Sequence, residues 1–125
     1  MATILIIDDS RVVREVLTDS LENEGYEVLS ADTGKEGFEC WKNHRRNIDL
    51  VLLDHFLPNR VLGSEVLKKI RAIDPEANVI VLTGGEIQRD EYPGITTYIK
   101  KKDGNCSDSD SLHDIIDMIK RVLPI

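Results

Sequence analysis

Short, nearly unbroken apolar runs recur along this chain, and amphipathic stretches separate them. Three of the runs consist almost wholly of Val, Ile and Leu. The five candidate strands are Ile4–Ile7, Val28–Leu29, Leu50–Leu53, Val79–Leu82 and Ile95–Ile99. A strand in a parallel sheet has this kind of sequence when helices cover both of its faces. The pattern therefore predicts a sheet with helices on either side.

Amphipathic stretches with apolar residues at helical spacing lie between and after these runs. The four candidate helices are Arg11–Glu24, Thr33 to about Arg45, Ser64–Ile73 and Ser111–Leu123, and Gly25 is a predicted C-terminal cap. This alternation predicts a doubly wound, five-stranded parallel α/β sheet in one domain over residues 1–125. Only residues 84–94 separate the last two strands. A further helix should connect those strands and would be the fourth in chain order. It is therefore predicted to be short or irregular.

The charge of the chain narrows the classes of partner. The formal net charge is −7, whereas nucleic-acid backbones and anionic membranes attract clustered Lys and Arg. We therefore expect no nucleic-acid partner and no membrane partner. The N-terminal segment lacks the features of a signal peptide, and Cys40 and Cys106 form no metal or disulfide motif. A cytoplasmic location is the expectation.

Polar side chains follow four of the predicted strands. The residues are Asp8 and Asp9 after the first strand, Asp54 after the third, Thr83 after the fourth and the lysines Lys100–Lys102 after the fifth. Each has an ordinary structural interpretation, as a helix cap, a turn residue or a solvated edge. However, the carboxyl ends of parallel strands meet at one rim, where open α/β sheets bind ligands. Their joint placement therefore favours a site.

The residue types at this rim point to phosphoryl chemistry. Three carboxylates held close together repel each other unless one is protonated or a cation lies among them. Oxygen ligands of this kind suit Mg²⁺, which also accepts phosphate oxygens. A carboxylate can attack a phosphoryl group and form an aspartyl phosphate, while a metal ion and a lysine balance the charge. The set predicts Mg²⁺-dependent phosphoryl acceptance by an aspartate.

The sequence resembles the response-regulator receiver family from end to end. The matching stretches are IIDDS, LLDHFLP, VLTG and YIKK. They contain an acidic pair, an aspartate followed four residues later by Pro58, a threonine after the fourth strand, and Tyr98 three residues before Lys101. The resemblance implies a flavodoxin-like fold with strand order 2-1-3-4-5.

The resemblance also implies a metal site. Asp9 and Asp54 are the implied direct ligands of Mg²⁺, and Asp8 is implied to act largely through water. The backbone carbonyl of Phe56 would complete the protein ligands. Asp54 is at the same time the implied phosphoacceptor, with Thr83 among the other catalytic residues.

The implied activity is that of a phosphorylation switch. A sensor histidine kinase or a phosphotransfer protein donates the phosphoryl group, and Lys101, the third catalytic residue, pairs with it. Thr83 and Tyr98 form the implied switch: Thr83 moves toward the phosphoryl group and Tyr98 turns inward behind it. We expect the protein to signal to a downstream protein by conformational change. It would be no enzyme beyond catalysing its own phosphorylation and dephosphorylation.

Departures from the family pattern keep a second interpretation open. Gly63 comes one residue later than the usual turn glycine and lacks the Asp before it, Gly84 replaces Ala, and Lys102 replaces Pro. The alternative is a pseudo-receiver, which keeps the fold as a phosphate-independent protein interaction module. A phosphate-ester hydrolase of the haloacid-dehalogenase type is disfavoured, because Phe56 stands where such enzymes have a second Asp.

Overall fold

Five strands form one parallel sheet in the computed structural model, which describes residues 2–55, 57, 62–83, 97–100 and 109–124, with the backbone alone for residues 97–100 and 109–111. The strands are β1 (Thr3–Ile7), β2 (Glu27–Ala31), β3 (Leu50–Asp54), β4 (Val79–Thr83) and β5 (Thr97–Lys100). Their order across the sheet is β2-β1-β3-β4-β5. All neighbouring strands run parallel. The predicted sheet and strand order are therefore confirmed.

The helices of the described residues begin close to their predicted starts. They are α1 (Arg11–Asn23), α2 (Gly34–His44), α3 (Gly63–Ile73) and α4 (Ser109–Val122). The predicted short helix between β4 and β5 falls in residues 84–96, which lie outside the described residues, so it stays a prediction. Within the described part of the chain, no helix is both long enough and apolar enough to cross a membrane.

Both faces of the central strands are buried, and successive residues alternate between them. The face toward α1 and α4 includes Ile4, Ile6, Leu50, Leu52, Ile80 and Leu82. The face toward α2 and α3 includes Leu5, Ile7, Val51, Leu53, Val79 and Val81. Because every position on these strands is buried, β1, β3 and β4 read as nearly continuous apolar runs instead of alternating ones.

The end of α1 is closed by a glycine turn. Gly25 has a φ of 100°, a conformation that a side chain disfavours. The amides of Gly25 and Tyr26 donate to the carbonyls of Glu22 (3.0 Å) and Leu21 (3.1 Å), which is the Schellman arrangement. The turn buries Tyr26, whose hydroxyl donates to the backbone carbonyl of Leu123 at 2.5 Å. This contact joins the start of β2 to the chain directly after α4.

Candidate functional site

The register of the sheet brings two distant aspartates together. Ile7 of β1 pairs with Leu53 of β3, so the next residues along the two strands, Asp8 and Asp54, are neighbours. Each also continues the alternating series of its strand that faces α1 and α4. The aspartates therefore project from the same face of the sheet at its carboxyl rim.

Three carboxylates converge at this rim and form what we call the acidic cluster: Asp8, Asp9 and Asp54. One carboxylate oxygen from each residue lies within 4.8 Å of the other two. Asp8 is 0% exposed and Asp54 is 6% exposed, whereas Asp9 is exposed to solvent. Two of the charges are thus withdrawn from water, where repulsion between like charges is screened least.

The acidic cluster fits a magnesium ion on the chemistry of its donors. All three ligand atoms are hard carboxylate oxygens, and they are close enough together to share one cation. Three carboxylates do not fill an octahedral shell, which leaves positions for water and for phosphate oxygens. The prediction that Asp8, Asp9 and Asp54 come together is confirmed. Phe56, the implied fourth ligand, lies outside the described residues.

Asp8 is fixed through contacts with the main chain. Its amide donates to the carbonyl of Ala31 at 3.1 Å, and its Oδ1 accepts from the amide of Ser10 at 2.9 Å. Its own carbonyl accepts from Nη1 of Arg14 at 2.8 Å. Sequence reasoning missed Arg14, whose only signal was a cation in the first turn of the helix that begins at the rim.

The start of α1 decides whether Asp9 is a helix cap, an interpretation that the sequence left open. Ser10 is the N-cap residue, and its Oγ accepts from the amide of Val13 at 3.3 Å. Asp9 is therefore not the cap and lies in the loop between β1 and α1. This assignment leaves the carboxylate of Asp9 for the acidic cluster.

Thr83 ends β4 at the same rim. Leu82 pairs with Asp54, so Thr83 lies one residue beyond the phosphoacceptor candidate on the neighbouring strand. It is 0% exposed. On its other side, Thr83 pairs with Lys100 of β5. The predicted position of Thr83 beside the acidic cluster agrees with this register.

Two predicted residues of β5 and its end are described only in part. Tyr98 pairs with Val81 through the backbone, and its side chain lies outside the described residues. Lys101 follows the last residue of β5 and also lies outside them. The proposed roles of Lys101 and Tyr98 therefore stay predictions.

The residue after Asp54 helps to build the rim. His55 is 8% exposed, and its amide donates to the carbonyl of Leu82 at 3.0 Å. Its carbonyl accepts from the amide of Gly63 at 2.8 Å, at the residue where α3 begins. Gly63, a departure from the family pattern, thus connects the start of α3 to the residue that follows Asp54.

Comparisons with known proteins place this site in a family of known domains. The sequence matches the family described as response regulator receiver domain over residues 4–117. It is 32% identical over 127 residues to sporulation initiation phosphotransferase F of Bacillus subtilis, covering 98% of this chain and 94% of that protein. It is 33% identical over 99 residues to a probable transcriptional regulatory protein of Picosynechococcus sp.. That match covers 75% of this chain but only 39% of the cyanobacterial protein, which is much longer.

Solved structures give the same result for the fold. The response regulator protein TrrA of Thermotoga maritima, in complex with Mg²⁺–BeF, has a TM-score of 0.80 and 30% identity, covering 98% of this chain and 100% of that chain. TrrA in complex with the histidine kinase ThkA has a TM-score of 0.78 and 31% identity, covering 98% of this chain and 99% of that chain.

Proposed function

The chain belongs to the response regulator receiver domain family, and from this premise we propose that it is a phosphorylation-dependent signalling switch. It accepts a phosphoryl group on Asp54 in a Mg²⁺-dependent reaction. The donor is a histidine kinase or a phosphotransfer protein. The observation that carries the proposal is the acidic cluster, with its three carboxylate oxygens within 4.8 Å of one another.

Access and rigidity favour Asp54 as the nucleophile. Asp8 is 0% exposed, and one of its oxygens already accepts a hydrogen bond from Ser10. Asp9 is exposed but lies in a loop. Asp54 keeps a small accessible fraction of 6% and ends a central strand that is paired on both sides. A positioned, reachable carboxylate is what attack on phosphorus needs.

The transfer step requires charge balance. A carboxylate oxygen of Asp54 forms a bond to phosphorus while the bond from phosphorus to the donor breaks, and the leaving group departs with the electron pair. Asp8, Asp9 and Asp54 would hold Mg²⁺, which would supply positive charge to the phosphoryl oxygens. We assign Lys101 as the second cation facing the phosphoryl group.

We assign the conformational change that signals phosphorylation to the buried Thr83. Thr83 lies one residue past the partner of Asp54 in β4, and we assign its hydroxyl as a donor to a phosphoryl group on Asp54. In the proposed switch this hydroxyl moves toward the phosphoryl group, and Tyr98 on β5 fills the space that it leaves. The two arrangements form a conformational equilibrium that phosphorylation shifts. A downstream protein recognises the shifted state.

The comparisons support this assignment of partner and cofactor. TrrA, a response regulator with the same fold, has been solved with Mg²⁺–BeF and with a histidine kinase. We further assign the chain to the cytoplasm, where the proposed phosphodonor would meet it. We also assign it no enzymatic activity beyond its own phosphorylation and dephosphorylation.

A mass measurement tests the proposal. The chain is incubated with Mg²⁺ and a small phosphodonor such as acetyl phosphate, and intact-mass spectrometry follows the product. We expect one phosphoryl adduct that chelation of Mg²⁺ prevents and Asp54→Asn abolishes. Asp19→Asn, which removes an exposed acid on α1, serves as the charge-matched control and should still be labelled.

The pseudo-receiver is the alternative that this experiment separates. It is motivated by the departures at Gly63 and Lys102. A folded wild-type chain that gains no adduct from any phosphodonor overturns the switch and supports the interaction module. Equal labelling of Asp54→Asn and wild type overturns Asp54 as the phosphoacceptor.

A further inference from the structure

A half-buried arginine on α1 reaches back to the acidic cluster. Arg14 lies in the first turn of α1, and its Nη1 donates to the backbone carbonyl of Asp8 at 2.8 Å. Hydrogen bonds from a charged donor are stronger than neutral ones. This contact therefore anchors the loop between β1 and α1 from the helix side, opposite the contact of the Asp8 amide with β2.

The carbonyl that Arg14 holds belongs to the peptide unit leading into Asp9. A peptide unit is planar, so fixing the carbonyl of Asp8 also fixes the amide and the Cα of Asp9, from which its side chain extends. The carboxylate of Asp9 is exposed, and no side chain within the described ranges donates a hydrogen bond to it. The backbone is therefore what positions this carboxylate.

We propose that Arg14 is a positioning residue for the metal site: by fixing the peptide between Asp8 and Asp9, it sets the Mg²⁺ affinity of the acidic cluster. This inference rests on the proposed function, because it assumes that the cluster binds Mg²⁺. Partners behind the ligands commonly change metal affinity when they are removed. The geometry gives Arg14 that place because its guanidinium contacts the backbone carbonyl of Asp8.

The positive charge of Arg14 has the opposite effect on the Mg²⁺ affinity of the acidic cluster, so the two roles can be distinguished by experiment. A cation beside three carboxylates competes with Mg²⁺ for them, so its removal by charge alone would tighten Mg²⁺ binding. Loss of positioning would weaken it. The sign of the change in Mg²⁺ affinity therefore separates a positioning role from a purely electrostatic one.

Calorimetric titration of the full chain with Mg²⁺ tests the proposal. We expect Arg14→Gln to raise the Kd for Mg²⁺ by about 10-fold. Arg14→Lys keeps the charge and one donor and should give a Kd between that of Arg14→Gln and wild type. The matched control is Arg11→Gln on the same helix, where the side chain is 82% exposed and pairs with Glu15. Its Kd should equal that of wild type.

A second readout separates positioning from a general loss of stability. The thermal midpoint of each variant is measured without Mg²⁺. A purely structural role would lower the midpoint of Arg14→Gln and leave its Kd for Mg²⁺ unchanged, which would overturn the inference, as would tighter binding. If Arg14→Gln does not fold, Arg14→Lys decides in the same way by its Kd. A folded wild-type chain that binds no Mg²⁺ overturns this inference and the proposed function together.

Discussion

Like charges make the acidic cluster costly for the free protein. Asp8 and Asp54 are buried and Asp9 completes the cluster within 4.8 Å. Repulsion among the three raises the free energy of the folded state, where they are held together, more than that of the unfolded chain. Functional sites commonly retain such residues at the expense of stability. Asp9 is the member to change, because it is exposed and its removal leaves no cavity.

Replacing Asp9 by Asn should stabilise the protein in the absence of Mg²⁺. The change removes one of three repelling charges and keeps the size of the side chain. We expect the free energy of unfolding to rise by about 0.2–1 kcal/mol, the range of interactions between exposed charges. Urea unfolding measures it, and the gain should shrink in high salt. Asp19→Asn, which removes an exposed acid on α1 away from the cluster, controls for net charge. Equal gains in both variants would assign the effect to net charge instead of the cluster.

Tyr26 offers a test of a single buried hydrogen bond and its pH dependence. Tyr26→Phe removes the donor to the carbonyl of Leu123 and should lower the free energy of unfolding by about 1 kcal/mol at neutral pH. Burial raises the pKa of Tyr26 above its usual value. A raised pKa in the folded state means that this stability is complete below the unfolded pKa of about 10 and is lost as pH rises beyond it.

The pH series distinguishes the phenol from other alkaline effects. Above a pH of about 10, the difference in unfolding free energy between wild type and Tyr26→Phe should shrink. Only wild type has this phenol to ionise on unfolding. A difference that stays constant up to the alkaline limit would contradict the account of Tyr26.

At the scale of elements, α2 is set close against the sheet by a glycine. A Cβ on Gly37 would lie 2.6 Å from Cδ1 of Ile7, and 2.7 and 2.8 Å from its Cγ1 and Cγ2. Ile7 is fully buried in β1, so its side chain has little room to give. Glycine at this position lets α2 approach the strand that leads into Asp8.

Gly37→Ala should destabilise the protein despite the better helix propensity of Ala. The propensity gain is about 1 kcal/mol, whereas overpacking a buried contact costs about 1–3 kcal/mol. Combining it with Ile7→Ala, which removes all three clashing atoms, should abolish the penalty. A double-mutant cycle on unfolding free energies measures this coupling. Additive effects of the two substitutions would show that Ile7 is not what Gly37 accommodates.

The elements differ in how well the sequence predicts them, and burial explains why. β1, β3 and β4 are buried along their whole length, so their apolar runs were unmistakable. β2 was predicted only as Val28–Leu29 but spans Glu27–Ala31. As an edge strand it exposes Glu27 and Ser30, and its pattern is correspondingly weaker.

The same contrast holds within the site. Asp8, Asp9, Asp54 and Thr83 were predicted because parallel strands bring their carboxyl ends to one rim. Arg14 was not, because its contact is with a backbone carbonyl, and every residue has one. Identifying that contact requires the distance between α1 and the end of β1, which no spacing along the chain specifies.

For the molecule as a whole, the parallel register makes the acidic cluster a property of the folded state. The acidic cluster exists only when β1 and β3 pair, so Mg²⁺ should bind the folded chain in preference to the unfolded one. Mg²⁺ at about 100 times its Kd then adds about 2.7 kcal/mol to the free energy of unfolding. Thermal unfolding across a Mg²⁺ series should show a rising midpoint, and Asp54→Asn should remove most of the rise. A thermal midpoint that does not change with Mg²⁺ concentration would contradict the metal site.

Asp54 carries the phosphoryl group in the proposed function, and chemical mapping can locate that group on the chain. The chain is phosphorylated with acetyl phosphate and Mg²⁺ and then treated with borohydride, which reduces an acyl phosphate to an alcohol and leaves free carboxylates unchanged. Peptide mass spectrometry locates the product. We expect homoserine at position 54, and we expect Asp8 and Asp9 to be unaltered. Reduction at Asp8 or Asp9 with Asp54 intact would contradict it, as would a phosphoryl group on a hydroxyl or imidazole.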